Sequence, residues 1–467
     1  MTAARIGFWL GLAGFLLTVL LPAPADMPPT AWRTAGLVLW MAVWWMTEAL
    51  PLYATALLPF ITLPLIGVAD ANKTAASYYS PVIFLFIGGA FLALSIERTG
   101  LHRRLALAIL ARAGDTPWRL LLAVMAATAL LSTINSNTST ALIMMPMALA
   151  MLAAGQIKPG DTAGMAGALP MGISFAASIG GLGTLVGSPT NAISAALIER
   201  TLGVEISFAQ WTLYGMPTVI LAIPLAAFII ARVHNLSEDR FDPAAARAAI
   251  AGHTDWTAPE RRLVPVVALA LATWIAQPFI EPLFPEGAIT DGTIAAVVGL
   301  LLFVLPDGTG RPMLVWKEAN RAPWDVVLMY GGGLSLAMGM TQSGLAAWLG
   351  QEMLPLAAVP LPVVALALVG FVIVVTEFAS NVATASAIMP VVAALVAALG
   401  ADPILLALPA AFAASWGFML PAGSAPNAIA WATGHISLQR VVKAGFLFDI
   451  AGGFLIVGVI WAIAALS

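Results

Sequence analysis

The stretch "TINSNTSTALIMMP" at residues 133–146 puts two Asn, two Ser and three Thr into eight consecutive positions. Leu, Ala, Val and Met surround these positions, and none of the eight is charged. A related stretch, "TEFASNVATASAIMP" at 376–390, carries a second polar cluster and ends on the same Met-Pro. Polar clusters within apolar sequence predict a functional site inside a membrane.

The composition around these clusters is that of an integral membrane protein. Hydrophobic residues make up 61% of the 467 positions and charged residues 9%, against about 45–50% and about 25% in soluble domains. Long apolar runs favour an all-α polytopic protein over a β-barrel. The chain has no cysteine and no metal-ligand, nucleophile or phosphate-loop pattern, so we expect a protein that is not an enzyme and has no cofactor.

Two segments, 117–155 and 360–398, carry the polar clusters near their middle. We interpret each as a re-entrant hairpin of two short helices, because irregular backbone at membrane depth is allowed only where it faces protein or water. The remaining apolar runs predict about eleven transmembrane helices, at 6–22, 31–49, 52–68, 80–97, 162–199, 208–233, 260–280, 290–305, 323–343, 402–433 and 440–465.

The distribution of basic residues supports this topology. With a cytoplasmic N-terminus and hairpins that return to the side they enter from, 17 of the 20 Lys and Arg residues are cytoplasmic, as the positive-inside rule requires. Treating either hairpin as one span destroys that asymmetry. We therefore predict a multi-pass protein of the bacterial inner (cytoplasmic) membrane with its C-terminus outside. The first span could instead be a signal peptide cleaved after Ala23-Pro24-Ala25, but a retained helix is favoured.

The two halves of the chain repeat each other. At an offset of 244, six of the eleven positions in 136–146 are identical to 380–390, and at an offset of 236 "GSPTNAI" (187–193) lies over "GSAPNAI" (423–429). The first hairpin enters from the cytoplasm and the second from outside, so the repeats are inverted, as in many secondary transporters. We assign the first repeat to 1–232, a cytoplasmic linker to 233–262 and the second repeat to 263–467.

Two further segments predict broken helices. "IGGLGTLVGSPTN" (179–191) and "FMLPAGSAPN" (418–427) put Gly and Pro inside the apolar segments 162–199 and 402–433, where they interrupt helices. The freed N–H and C=O groups need partners, and an ion or substrate site supplies them. A packing kink filled by neighbouring helices is the alternative.

The uncharged groups of the polar clusters can bind both a cation and an anion. No Lys or Arg lies between Arg321 and Arg440 or between Arg119 and Lys158, so we expect that basic side chains do not hold an anionic ligand. N-terminal N–H groups of half-helices favour anions, and hydroxyl, amide and carbonyl oxygens suit Na⁺. For two acids in apolar context, Glu48 and Glu377, we favour a structural role over proton relay.

At these residues the chain resembles the divalent-anion/sodium symporter family, the bacterial and animal di- and tricarboxylate transporters. The resemblance covers nearly the whole chain and rests on the paired Ser-Asn-Thr-like tips and the paired Gly-Ser-x-x-Asn breaks. It implies a homodimer whose scaffold and transport domains work by an elevator motion.

The resemblance also implies site residues by position. The first Na⁺ site would comprise Ser132, Ser136, Asn137 and the Gly187 carbonyl, and the second Thr376, Ser380, Asn381 and the Gly423 carbonyl. Substrate carboxylates would contact Asn137, Thr138, Asn381 and position 382, with Ser188 and Ser424 close by. Two departures are Val382, which lacks the hydroxyl of Thr138, and Ala425, where the family often has Pro.

These observations leave several functions open. The leading hypothesis is Na⁺-coupled symport of a C4-dicarboxylate such as succinate, malate or fumarate. Alternatives are Na⁺-independent dicarboxylate exchange, transport of another divalent anion such as sulfate or tartrate, and, from a different class, an anion channel. The expected partners are a di- or tricarboxylate or other divalent anion, Na⁺, membrane lipid and a second copy of the chain, and no nucleic acid.

Overall fold

The computed structural model describes residues 2–24, 26–112, 114, 116–158, 160–236, 241–250, 255–421 and 423–466. Within these ranges the chain forms 23 α-helices and no β-strand, so the prediction of an all-α membrane protein is confirmed. Part of the predicted linker (237–240 and 251–254) and Ala25 of the alternative cleavage motif lie outside the described residues.

The helices of the first half precede a short connecting helix, α13 (Pro243–Ile250). They are α1 (Ala3–Leu20), α2 (Pro29–Thr47), α3 (Leu52–Thr55), α4 (Leu58–Leu65), α5 (Ala71–Ala76), α6 (Pro81–Thr99), α7 (Leu101–Leu110), α8 (Pro117–Ser132), α9 (Asn137–Ala154), α10 (Met165–Gly181), α11 (Pro189–Leu202) and α12 (Phe208–Val233).

The second half follows α13 and contains the longest helix of the described chain. Its helices are α14 (Ala258–Ile280), α15 (Asp291–Val304), α16 (Trp316–Ala319), α17 (Trp324–Gln342), α18 (Leu345–Met353), α19 (Leu361–Phe378), α20 (Asn381–Leu399), α21 (Pro403–Ala413), α22 (Ala425–Ala432) and α23 (Leu438–Ala464).

Eight helices of the described chain are long and apolar enough to cross a membrane, namely α1, α6, α9, α12, α14, α19, α20 and α23. Shorter apolar helices lie in other predicted spans, among them α10, α15 and α21, and the short apolar helix α8 lies in the first predicted hairpin. The span predicted at 52–68 is formed by α3 and α4, which are separated by Ala56 and Leu57 in helical conformation. Pro59 lies in the first turn of α4, and its missing N–H removes one backbone hydrogen bond at this junction.

Each predicted hairpin segment consists of two helices that are interrupted at its polar cluster. In the first, α8 ends at Ser132 and α9 begins at Asn137; in the second, α19 ends at Phe378 and α20 begins at Asn381. The predicted broken helices are likewise interrupted, between α10 and α11 and between α21 and α22. The four interruptions hold the polar residues that the sequence repeats.

One glycine in each half allows the two halves to pack closely. A Cβ at Gly88 of α6 would lie 2.3 Å from the Ala295 carbonyl oxygen of α15, and a Cβ at Gly332 of α17 would lie 2.6 Å from the Ala56 carbonyl oxygen after α3. Each half therefore inserts one backbone directly against a helix of the other half. This packing brings α6 and α17 alongside the interrupted helices.

Candidate functional site

A cavity of about 610 Å³ lies where the two hairpin tips and the two broken helices meet. The six residues predicted to contact substrate all line it, and they are Asn137, Thr138, Ser188, Asn381, Val382 and Ser424. Three of the predicted cation ligands, Ser136, Ser380 and Gly423, line it as well. Residues nearly 300 positions apart in sequence therefore share one space of the size that binds small molecules.

Four of the helices that begin at this cavity begin at a serine. Ser136, Ser188, Ser380 and Ser424 are the N-cap residues of α9, α11, α20 and α22, and all four line the cavity. Each serine oxygen accepts a hydrogen bond from one backbone N–H of its own helix. The other N–H groups of the first turn have no intrahelical partner, so the cavity favours an anion.

Behind the first tip, Ser132 joins α8 to both the tip and α10. Its fully buried Oγ lies 2.6 Å from the Ala177 carbonyl oxygen and 3.0 Å from the side-chain oxygen of Asn137. Gly187 also belongs to this neighbourhood, because a Cβ there would lie 2.9 Å from the Ser132 carbonyl oxygen. Ser132, Asn137 and Gly187 are thus brought together, with Asn137 in the cavity wall and Ser132 and Gly187 behind it.

The second tip repeats this arrangement. Thr376 Oγ1 is fully buried and lies 2.7 Å from the Ala414 carbonyl oxygen and 3.0 Å from the side-chain oxygen of Asn381. The distances match those of Ser132 to within 0.1 Å. Two pockets of neutral oxygen atoms therefore lie behind the two tips.

Two buried hydroxyls beside these pockets were missed by the sequence analysis. Ser178 and Ser415 follow the two carbonyl-bearing alanines, are each 1% exposed, and have hydroxyls without a hydrogen-bond partner among the described residues. A buried hydroxyl without a partner is costly. The tetrapeptide Phe-Ala-Ala-Ser, which occurs at both 175–178 and 412–415, is the sequence signal that identifies them.

Asparagine side chains hold the interrupted backbones in shape. The Asn191 Nδ2 donates to the carbonyls of Gly181 (2.7 Å) and Thr184 (2.8 Å). The Asn427 Nδ2 lies 3.1 Å from the carbonyl oxygen of Leu420 and 3.4 Å from that of Gly417. The carbonyls freed by each break are therefore partly satisfied by the asparagine of the repeated motif.

The breaks are tied to the tips by different groups. In the first half, the Thr184 hydroxyl donates to the Thr133 carbonyl. In the second half, the fully buried Glu377 accepts 2.8 Å hydrogen bonds from the backbone N–H groups of Met419 and Leu420. Glu377 therefore has the structural role that the sequence analysis favoured. The other acid, Glu48, lines the cavity instead.

A basic side chain outside the tips and the breaks also reaches the cavity. Arg321 lines it together with Glu97, and the two form an ion pair of 2.7 Å with side chains 64% and 28% exposed. Arg321 lies just before α17, at the edge of the stretch that lacks basic residues. The packing of α17 beside α6 brings Arg321 to Glu97, a contact that no local sequence pattern predicts.

Comparison with known proteins identifies the family. The family model described as "Sodium:sulfate symporter transmembrane region" matches residues 4–466. A sodium-dependent dicarboxylate transporter, SdcS, of Staphylococcus saprophyticus is 37% identical over 469 residues, covering 98% of this chain and 90% of that protein. SdcS of Staphylococcus aureus strain MRSA252 is 36% identical, covering 99% of this chain and 91% of that protein.

A solved structure shares the fold at low identity. The YdaH transporter of Alcanivorax borkumensis, described as having an unusual topology, matches with a TM-score of 0.58 and 13% identity, covering 100% of this chain and 99% of that one. The family match and the two relatives agree with the resemblance that the tip and break motifs indicated. The chain belongs to the sodium:sulfate symporter family of membrane transporters.

Proposed function

We propose that this protein is a secondary active transporter that couples uptake of a C4-dicarboxylate, such as succinate, malate or fumarate, to Na⁺. One observation carries the proposal: four serine-capped helix N-termini meet at one cavity, with a pocket of neutral oxygen atoms behind each hairpin tip. N-terminal N–H groups stabilise anionic carboxylates. The neutral oxygens suit a hard monovalent cation.

The two tips provide two places for two carboxylates. One carboxylate binds at Asn137 and Thr138, and the other at Asn381 and the free backbone N–H of Val382. Ser188 and Ser424 flank the substrate from the two breaks. The tips lie on opposite repeats, so a linear dicarboxylate bridges them, whereas a single-centre anion such as sulfate engages one tip at a time.

The cations bind behind the tips in this proposal. The first site uses Ser132, Ser136, Asn137 and the Gly187 carbonyl, and the second uses Thr376, Ser380, Asn381 and the Gly423 carbonyl. The unpartnered hydroxyls of Ser178 and Ser415 support the fit, because a buried oxygen without a hydrogen-bond donor is an available ligand. A bound Na⁺ supplies positive charge that the tips lack.

The names of relatives support the substrate class. The SdcS proteins of two Staphylococcus species are called sodium-dependent dicarboxylate transporters, whereas the family model is named for sulfate. Sulfate is therefore the second candidate, and dicarboxylate exchange without Na⁺ and passive channel flux are the alternatives in mechanism. The two-tip geometry favours the dicarboxylate.

The proposed transport cycle is an elevator motion between two domains. Residues 1–232 and 263–467 form inverted repeats; the hairpins and broken helices form a transport domain, and α6 and α17 belong to a scaffold. Gly89 of α6 lies against Val186 of the first break, and Gly333 of α17 lies against Ser386 of α20, so small residues line the proposed boundary between the two domains. We further propose a homodimer in the bacterial inner membrane, with the N-terminus cytoplasmic and the C-terminus outside.

The test is flux into proteoliposomes that contain the purified protein. Uphill uptake of labelled succinate driven by an inward Na⁺ gradient is the expected result. Accumulation that requires preloaded anion and ignores Na⁺ indicates exchange, and flux that never exceeds equilibrium indicates a channel. Uptake of sulfate with no competition by succinate would overturn the substrate assignment.

A further inference from the structure

Asn135 is a polar residue of the first tip that the proposed function does not use. It lines the cavity although it is only 2% exposed, and its side-chain Nδ2 has no hydrogen-bond partner in the part of the chain that the structure describes. A buried amide donor without an acceptor is costly. At the wall of a binding cavity, such a group points to a ligand that supplies the acceptor.

Thr190 is a second residue of this kind, at the start of α11 on the first break, which lies between α10 and α11. It also lines the cavity, is 1% exposed, and has a hydroxyl without a hydrogen-bond partner among the described residues. Asn135 and Thr190 belong to the tip and the break of the same repeat. The first half therefore offers unused hydrogen-bonding groups to the cavity on both of its elements.

The second half has apolar side chains at the matching positions. At the offsets of 244 for the tips and 236 for the breaks, the pairs are Asn135 and Ala379, Thr138 and Val382, and Thr190 and Pro426. Both tips keep the asparagine that the proposed function places on a carboxylate, Asn137 and Asn381. The difference between the halves therefore concerns a substrate group other than the two carboxylates.

The backbone around these two residues is held in place by hydrogen bonds. The Asn135 N–H donates to the Leu131 carbonyl at 3.1 Å, and the Thr184 hydroxyl joins the first break to the Thr133 carbonyl of the tip. The Thr190 N–H donates to the serine cap of α11 at 3.3 Å. A support that is ordered before the ligand arrives reduces the entropy cost of binding.

The chemistry of the two groups fits a hydroxyl better than a third carboxylate. A third carboxylate brings a full negative charge, which is costly to bury without a compensating charge. The basic side chain at the cavity, Arg321, is 64% exposed and already paired with Glu97. A hydroxyl is neutral and needs only a donor or an acceptor, and a side-chain amide and a threonine hydroxyl each supply both.

We propose that Asn135 is a specificity-determining residue that binds a hydroxyl on the carbon next to the carboxylate held at the first tip. The preferred substrates are then hydroxylated C4-dicarboxylates such as malate. The inference rests on the proposed function, whose substrate class it narrows. Asn135 lies two residues before Asn137, the residue assigned to that carboxylate, and Thr190 lines the same cavity from the break.

The asymmetry of the cavity also fixes the orientation of the substrate. The second tip has Ala379 and Val382 where the first has Asn135 and Thr138, so a hydroxyl bound at the second tip would lose its hydrogen bonds. A substrate hydroxyl next to apolar side chains is unfavourable. The hydroxylated end therefore binds at the first tip, and a site that contacts this group from one side distinguishes the two enantiomers of malate.

The direct test compares the binding of succinate, L-malate and D-malate to the purified full-length protein in the presence of Na⁺. Binding to the folded state raises the unfolding temperature, so a ligand series ranks the three affinities without transport. Wild type should bind one malate enantiomer about three- to tenfold more tightly than succinate, because one hydrogen bond is added. Equal binding of all three would overturn the inference alone. Binding of none would overturn the proposed function and the inference with it.

Two variants assign the preference to the amide. Asn135→Leu keeps a side chain of similar size and removes the amide, so the preference for malate over succinate should fall below about twofold. The matched control is Thr140→Val, which removes a buried hydroxyl without a partner at a position that is not among the described residues lining the cavity, and which should keep the preference. A preference retained in Asn135→Leu, or lost equally in Thr140→Val, would refute the role of Asn135. The wild-type comparison does not depend on how the variants fold.

Discussion

The two hairpin tips are built alike, whereas the groups that support them differ. Ser132 and Thr376 make the same pair of contacts, to a backbone carbonyl and to the asparagine of the tip, at nearly equal distances. Behind the first tip, a neutral group makes the contact between the tip and the broken helix, because the Thr184 hydroxyl donates to the Thr133 carbonyl. Behind the second it is the buried carboxylate of Glu377.

The comparison teaches that the repeat preserves local geometry more strictly than charge. In the proposed function both tips bind the same kind of ligand and need the same oxygen positions, which accounts for their match. The supporting layer needs only to hold the break in place, and hydrogen bonds to a neutral or a charged acceptor both do so. The first tip is therefore supported by a neutral group and the second by an acidic one. The following experiments measure how this difference affects stability and transport.

The largest expected effect is from Glu377→Leu. This change leaves the backbone N–H groups of Met419 and Leu420 without acceptors, and each buried unpaired group costs about 1–3 kcal/mol. We expect a strongly lowered unfolding temperature in detergent and loss of uptake. The matched first-half change is Thr184→Val, which removes the hydroxyl that donates to the Thr133 carbonyl and should lower the unfolding temperature less. Equal destabilisation by the two changes would show that the two ties are equivalent.

Thr138→Val makes the first tip resemble the second. A hydrogen bond to a charged group contributes about 1.5–3 kcal/mol, so the half-saturating succinate concentration should rise about 10- to 100-fold. The reciprocal Val382→Thr should keep the fold and change the relative competition by succinate, citrate and sulfate. Unaltered competition profiles in both variants would remove these two positions from the substrate site.

Removing one hydroxyl behind each tip compares the two proposed cation sites. Ser132→Ala and Thr376→Val should each raise the half-saturating Na⁺ concentration by about threefold to tenfold. The rise should be smaller for Thr376→Val, because the Glu377 carboxylate still favours a cation in the second site. Uptake of labelled succinate over a Na⁺ series measures both. A larger rise for Thr376→Val would contradict the assigned effect of Glu377.

A smaller effect is expected from Arg321→Gln, which acts on the substrate cavity without touching either tip support. The ion pair with Glu97 is exposed and contributes about 0–1 kcal/mol to stability, so the fold should persist. Loss of positive charge at the cavity should raise the half-saturating succinate concentration about two- to threefold at low salt, and less at high salt. Arg311→Gln, which breaks a 2.7 Å pair with Glu318 away from the cavity, is the control. A salt-independent effect would argue against an electrostatic role.

The smallest effect on transport is expected at Asp307, which binds Arg98 away from the groups that support the two tips. Burial alone would raise the pKa of the Asp307 carboxyl, but hydrogen bonds from Thr309 and Arg98 outweigh it and lower the pKa from 3.8 to about 2. A lowered pKa stabilises the fold above pH about 4, and this contribution is lost as the pH falls towards 2. The unfolding temperature of wild type should therefore approach that of Asp307→Asn between these pH values. A constant difference would contradict the shifted pKa.

The sequence by itself determined the class of protein and the composition of the tips. Length and apolarity of each run are local properties, and they alone decide whether a helix is stable in a bilayer. The repeated motifs identified the polar residues, because a helix that is interrupted in an apolar segment requires uncharged partners for its free backbone N–H and C=O groups. The resemblance to the symporter family then assigned Asn137, Thr138, Asn381 and Val382 to the substrate site, again without any coordinates.

Only the tertiary structure decided which distant groups meet. Arg321 pairs with Glu97 across 224 residues, and Gly445 lets α23 lie directly on the second break. The hydroxyls of Ser178 and Ser415 likewise became candidate ligands only because the structure shows that they are buried next to the carbonyl-bearing alanines. Such contacts depend on how helices pack in three dimensions, and a single side chain carries no periodic signal of its eventual neighbour. The acidic support of the second half therefore became visible only once the helices were in place.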